Sequence, residues 1–142
     1  MIRPFTIDDY DEVYQLWKRT PGVGLRSLDD SREGIERFLK RNPTTNLVAE
    51  EEGNIIGVVL GGHDGRRGYI YHTCVEESHR RRHIGRKLME RITEVMSAER
   101  ITKLGLVCFA HNDKGNDFWS GLGWELRSDL NYYTIGINEY NS

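Results

Sequence analysis

The chain has only two cysteines, three prolines and no long apolar run. Two thiols without a CxxC neighbour, Cys74 and Cys108, argue against a disulfide framework and against a metal knuckle. Each lies in an apolar, strand-like run and is expected to be a reduced, packed thiol. The longest apolar stretch, Ile55 to Leu60, is far too short to cross a bilayer. The opening Met1-Ile2-Arg3-Pro4 carries no apolar segment of the secretory type. No membrane partner and a cytoplasmic location are therefore the expectation. Neither sign of charge dominates: 20 Lys and Arg stand against 22 Asp and Glu, a formal net charge of −2. General attraction to nucleic acid is not expected from that balance. No repeat, low-complexity tract or linker breaks the 142 residues, so a single domain over 1–142 is expected, large enough to bury a real core.

What is present is a soluble, mixed pattern, with 37% apolar and 30% charged residues. Residues 3–6 read as a short strand. Thr6, with Asp9 three residues on, opens a helix to about Arg19, whose apolar positions Ile7, Tyr10, Val13, Tyr14 and Trp17 share one face. Tyr10, Tyr14 and Trp17 are core or cleft wall. A loop from Gly22 to Asp30 precedes a second helix from about Ser31 to Arg41, stopped by Asn42-Pro43. Strands follow at 46–52 and 54–62, joined at Glu52-Gly53-Asn54, and at Tyr69–Val75 after a polar turn. A third helix covers about His83 to Glu99. Residues 103–109 are apolar on both faces, as in a buried central strand. A short helix over 114–122 and a hairpin of strands at 124–129 and 132–137 complete the order β-α-α-β-β-β-α-β-α-β-β. This is an α+β chain with a mixed, mostly antiparallel sheet and helices on both faces. The helix at 83–99 should cross between two parallel strands, 69–75 and 103–109.

The most telling stretch is His79-Arg80-Arg81-Arg82-His83-Ile84-Gly85-Arg86-Lys87. Seven of its nine residues can carry positive charge and none is acidic. It links a strand to the start of a periodic helix. The first turn of a helix leaves backbone N–H groups without partners and adds positive potential, so this is a place to hold phosphates. A solvated basic surface is the plainer alternative.

This order, with the basic turn in its middle, resembles the GNAT superfamily of acyl-CoA-dependent N-acyltransferases over nearly the whole chain. Val75 ends a strand, and Arg80-Arg81-Arg82-His83-Ile84-Gly85 occupies the six positions of the family pattern [Q/R]-x-x-G-x-[G/A]. About thirty residues later, Asn112-Asp113-Lys114-Gly115-Asn116-Asp117-Phe118-Trp119-Ser120-Gly121-Leu122-Gly123-Trp124 matches a second family element. The resemblance implies acetyl-CoA as co-substrate, with its pyrophosphate on the backbone amides of Arg81 to Arg86. It implies the pantetheine arm between splayed strands 69–75 and 103–109, against Thr73, Cys74 and Val75. Asn112, with Gly115 beyond it, would lie on the far side of the cofactor, or Asn112 would simply cap the helix at 114. No metal is implied.

Two positions depart from the family. His83 stands where the first motif glycine is usual; its Cβ is tolerable only at negative φ. Trp119 stands where a tyrosine usually protonates the leaving thiolate, and an indole N–H is no acid of that kind. The general base is open: no carboxylate opens the strand, and His72 and His63 are the nearest titratable groups. The loop 22–30, with Arg26, Asp29 and Asp30, falls where such proteins build an acceptor pocket, or is plain surface. The expectation is acetyl transfer to a primary amine of a small molecule or peptide by direct attack. A CoA-binding module without turnover is the alternative, and a nucleic-acid binder a weaker one. The closing hairpin offers an edge for a homodimer.

Overall fold

The computed structural model describes the backbone of residues 1–142 and every side chain except those of Arg81 and Arg82. Five strands form one mixed sheet in the spatial order β1 (Ile2–Pro4), β2 (Leu47–Glu51), β3 (Asn54–His63), β4 (Gly68–Val75) and β5 (Leu104–Gly105). The first three neighbour pairs are antiparallel and β4–β5 is parallel. Glu52 and Gly53 both take positive φ in the β2–β3 turn, the conformation a two-residue hairpin demands.

Helices cover both faces. On one lie α1 (Tyr10–Lys18) and α2 (Arg32–Arg41). Their Val13, Leu16, Trp17 and Ile35 bury against Val58, Leu60 and Cys74. On the other lies α3 (Ile84–Ala98), whose Leu88, Ile92 and Met96 bury against Ile56, Val59 and Ile70. The short α4 (Asp113–Gly121) brings Phe118 and Trp119 to the edge of that second core. Ser31 caps α2 by accepting the Gly34 N–H at 3.0 Å, and Thr6 and Asp9 bond reciprocally ahead of α1.

Three expectations fail. Residues 103–109 are not a central strand: β5 is two residues long, sits at the sheet edge, and leaves Val107 and Phe109 exposed. The closing hairpin is absent, since no residue from 124 to 137 is in a strand. Alternating apolar residues need a template edge, and pairing along β5 stops at Gly105; Ile135 and Ile137 stand in solvent. The chain end instead ties to the loop after α1, with Ser27 N–H on the Ser142 carbonyl and the Leu28 and Asp29 N–H groups on Asn141 Oδ1. Cys108 is only half-buried, whereas Cys74 is in the core as expected. Among the described residues no helix is long and apolar enough to cross a membrane.

Candidate functional site

The parallel pair β4–β5 holds at only two registers, Gly68 with Leu104 and Tyr69 with Gly105. Beyond them the strands part. The gap opens into a cleft of about 1310 Å³, walled by residues 69–75 on one side and 106–109 on the other. The ladder groups of β4 that would face β5 beyond Tyr69 therefore have no strand to pair with. Glycines 22 and 24 bring the post-α1 loop over this gap: a Cβ on Gly22 would lie 2.7 Å from Asn112 Nδ2, and one on Gly24 3.4 Å from the Phe109 ring.

A bulge shapes the inner wall. Between the registers Val58–Cys74 and Leu60–Tyr71, β4 spends one residue more than β3. The extra residue inverts side-chain parity. Ile70 faces α3 while Cys74, four residues on, faces α1. His72 sits in this bulge with φ of +40°, a strained setting for a non-glycine residue. Its carbonyl accepts the Trp17 indole N–H at 3.3 Å, and its ring meets Trp17 edge-on at 5.1 Å. The ring Nε2 donates to Asp30 Oδ1 at 2.8 Å. Asp30 is only 5% exposed, and it also accepts the Arg26 N–H at 2.7 Å. With Asp30 accepting, Nε2 is the donor nitrogen, which makes Nδ1 the acceptor in a neutral ring. Sequence reasoning singled out His72 and placed Asp30 in the acceptor loop, but not their pairing. The two are 42 residues apart, and neither residue carries a motif.

Next to His72, the Thr73 hydroxyl is buried with no hydrogen-bond partner among the described residues, an exception to the usual rule. Burial pushes the Cys74 thiol up to about 12, which keeps it protonated and inert. The Cys108 thiol is also raised by desolvation. Neither cysteine is an acyl acceptor on those grounds.

The outer end of the cleft is the start of α3. A 3-10 segment, Glu77–Arg82, precedes it, where the sequence suggested only a turn. Arg80 Nε donates to the Val75 carbonyl at 3.1 Å and its side chain lines the cleft. Arg81 and Arg82 lie outside the described residues. His83 takes φ of +60° and ψ of +25°, so the negative φ set as its condition is not met. Its ring is exposed. No side chain caps α3, and its first turn holds no acid; the leading amides, those of Ile84, Gly85 and Arg86, therefore have no intrahelical acceptor. Gly85 is buried, and a Cβ there would come within 3.0 Å of the Phe118 ring. Its smallness thus serves the packing of α4 on α3 as well as access to the turn.

Asn112 is the cap of α4, its Oδ1 accepting the Gly115 N–H at 3.0 Å. Gly115 permits that cap, because a Cβ would fall 2.5 Å from Asn112 Nδ2. Both line the cleft, as does Trp119, which packs edge-on to Phe118 and Trp124. The Trp119 indole N–H has no acceptor among the described residues. His63 is elsewhere: it pairs with Glu99 at the far end of β3.

Known proteins share this fold. Residues 10–124 match the acetyltransferase (GNAT) family. The chain belongs to that family. It is 34% identical over 129 residues to an acetyltransferase of Sodalis glossinidius, covering 91% of this chain and 89% of that one. A ribosomal-protein-alanine N-acetyltransferase from Brucella melitensis superposes with a TM-score of 0.69 at 20% identity, over 96% of this chain and 99% of the other. An acetyltransferase of Clostridium acetobutylicum solved with acetyl-CoA gives 0.69 at 17% identity, over 94% and 95%. Membership makes the chain an acyltransferase by family.

Proposed function

We propose that this chain, folded as a single catalytic domain, transfers the acetyl group of acetyl-CoA to a primary amine by direct attack within a ternary complex. The observation that carries the reading is the alignment of two unpaired sets of backbone groups. The amides opening α3 suit a diphosphate, and the β4 groups freed beyond Tyr69 suit an extended amide-bearing arm. Arg80, His83, Ile84, Gly85 and Arg86 border the first. Thr73, Cys74 and Val75 form the second, with Asn112 and Gly115 across the gap. The Thr73 hydroxyl, buried and unpartnered, fits a polar group of that arm.

His72 is the base in this reading. Its Nδ1 takes a proton from the acceptor ammonium while Asp30 holds the ring. The amine nitrogen bonds the acetyl carbon, the carbon–sulfur bond breaks, the nitrogen gives its second proton to solvent as the amide forms, and CoA departs as the thiol with a proton drawn from solvent. A preorganised β4 N–H aimed at the carbonyl oxygen would lower the barrier by roughly 3 kcal/mol. Trp119 can steady the sulfur by hydrogen bonding but has no proton to give, and this favours a second reading, a CoA-binding module without turnover.

The charge-reversing substitution Arg86→Glu separates binding from folding. Arg86 is exposed in the first turn of α3. An acid there favours the helix by about 0.3–1 kcal/mol, yet it repels a diphosphate. Acetyl-CoA affinity by calorimetry should fall at least about tenfold while Tm holds or rises. Unchanged affinity would move the diphosphate elsewhere. Thiol release with an amine panel distinguishes enzyme from module.

A further inference from the structure

The cleft beside His72 carries a cluster of arginines. Three arginines line it, Arg26 in the post-α1 loop and Arg37 and Arg41 on α2. All three are exposed, and none has its guanidinium engaged by a hydrogen bond or ion pair among the described residues. Three arginines on or beside α1 and α2 or at the far sheet edge are occupied instead: Arg3 by Asp9 and Glu50, Arg19 by Glu76, Arg32 by Asp11. The two acids facing the same space are already held. Asp30 is bound to His72, and Asp29 accepts from Asn141 Nδ2 at 2.8 Å. In a chain of net charge −2, this space thus carries three arginines against two carboxylates, and neither carboxylate bonds to any of the three guanidinium groups.

The placement is directional. Arg37 and Arg41 are one helical turn apart and share a face. Phe38, between them in sequence, meets Tyr71 edge-on at 5.8 Å, and Tyr71 adjoins His72. Gly62 lets α2 come this close, because a Cβ there would sit 2.8 Å from the Phe38 ring. The Tyr71–Phe38 contact therefore joins the strand that carries His72 to the helix that carries Arg37 and Arg41, and all of them line one cleft. Guanidinium groups recognise carboxylate and phosphate through paired N–H donors.

We infer that the acceptor is a small bipolar amine, one that carries a carboxylate or phosphate beyond its amino group. The amine meets His72, and the anion binds Arg37 and Arg41, with Arg26 completing the positive rim. This rests on the acetyl-transfer reading above and deepens it. A polycationic amine would be repelled from the same space.

The experiment compares L-glutamate, β-alanine and O-phosphoethanolamine with β-alanine amide, ethanolamine and spermidine, by thiol release from acetyl-CoA. The anionic amines should show at least about tenfold higher kcat/KM than their uncharged counterparts. The double substitution Arg37→Glu with Arg41→Glu should raise KM for the anionic amines at least about tenfold, move kcat little, and leave the uncharged amines without a loss. Glutamate and phosphoethanolamine separate carboxylate from phosphate as the preferred anion. A preference for spermidine or for uncharged amines overturns the inference, as does an unchanged KM in the double variant. So does the absence of both turnover and saturable binding for every anionic amine with CoA present. Acetyl-CoA affinity without any amine is measured in parallel. Its loss in the unaltered protein sinks acetyl transfer itself, whereas its retention beside a preference for neutral amines sinks only the bipolar acceptor.

Discussion

The two flanks of β4 are made from the same backbone and behave oppositely. Toward β3 it pairs from Gly68 to Val75, broken only at the bulge. Toward β5 it pairs at two residues and stops. On the closed flank the hydrogen-bonding groups are consumed by the ladder, and the side chains on both faces are core. On the open flank the groups that point the other way have no strand to pair with beyond Tyr69. A sheet gains stability by satisfying every ladder group internally; a binding cleft needs some of them unsatisfied until a ligand arrives. The bulge at His72 lies just past Tyr69, the last residue of β4 that pairs with β5.

The largest effect should come from disturbing the closed flank. Gly61 pairs with Ile70, and its own N–H and carbonyl are held by Asn46 and Thr45 side chains. A Cβ there would lie 2.7 Å from the Thr45 carbonyl oxygen and 2.5 Å from Ile92 Cδ1. The Ile92 methyl can rotate, but the pinned backbone oxygen cannot retreat. Gly61→Val should cost about 3 kcal/mol or more, read as a lower urea midpoint. A loss below about 1 kcal/mol would show that this flank is not the rigid member of the pair.

Next in size is the bulge itself. Asparagine tolerates positive φ better than most residues, so His72→Asn should fold while removing the proposed base. We expect kcat to fall about 100-fold, the lower end for general base catalysis, with acetyl-CoA affinity little changed. The acid limb of the pH–rate profile should vanish with it. An intact limb would assign the proton transfer to another group.

These two regions also differ in how far the sequence disclosed them. The closed flank was legible because burial on both faces and a glycine turn write themselves into local pattern: Glu52-Gly53 fixed the β2–β3 register, and the 3.6-residue stripe of Leu88, Ile92 and Met96 fixed α3. Membership of the family came from Arg80 to Gly85 and Asn112 to Trp124, spacings that survive without any knowledge of tertiary contacts. The open flank was misread at 103–109, because apolar residues that border a cleft have the same composition as those inside a sheet. The hairpin at 124–137 was misread because alternation signals strand propensity, not the presence of an edge to join. The Asp30–His72 pair and the unengaged arginines were invisible for a different reason. They are joined by packing between α1, α2 and β4, which no local window contains.

A smaller effect, with opposite signs for folding and binding, is expected at Thr73. Its hydroxyl is buried without a partner among the described residues, and such a group costs about 1–3 kcal/mol relative to one that is bonded. Thr73→Val keeps the shape and removes the orphan. Stability without ligand should therefore hold or rise by up to about 1 kcal/mol. Acetyl-CoA affinity should drop about fivefold if the hydroxyl serves the ligand, a loss of roughly 1 kcal/mol. Matching losses in both measurements would make Thr73 a structural residue of the strand.

The smallest effect belongs to the opposite edge of the sheet, and it sharpens the contrast by showing how an edge is closed. There Arg3 on β1 reaches both Asp9 oxygens at 2.8 Å and Glu50 at 2.8 Å, tying β1, β2 and the start of α1 together. The Arg3 guanidinium holds the Asp9 carboxyl below the ordinary carboxylate range. Because the folded value is the lower one, this pair stabilises the protein fully above that range, and the contribution drains away as pH falls below it. With 28% of the Arg3 side chain and 11% of that of Asp9 exposed, solvent trims the effect to about 1 kcal/mol. Arg3→Gln should flatten the acid limb of the stability curve by that amount and leave acetyl-CoA binding at neutral pH untouched. A shift in cofactor affinity on the same substitution would mean that the two edges communicate through the sheet, and that the open flank of β4 is set by strain across all five strands rather than by the bulge at His72.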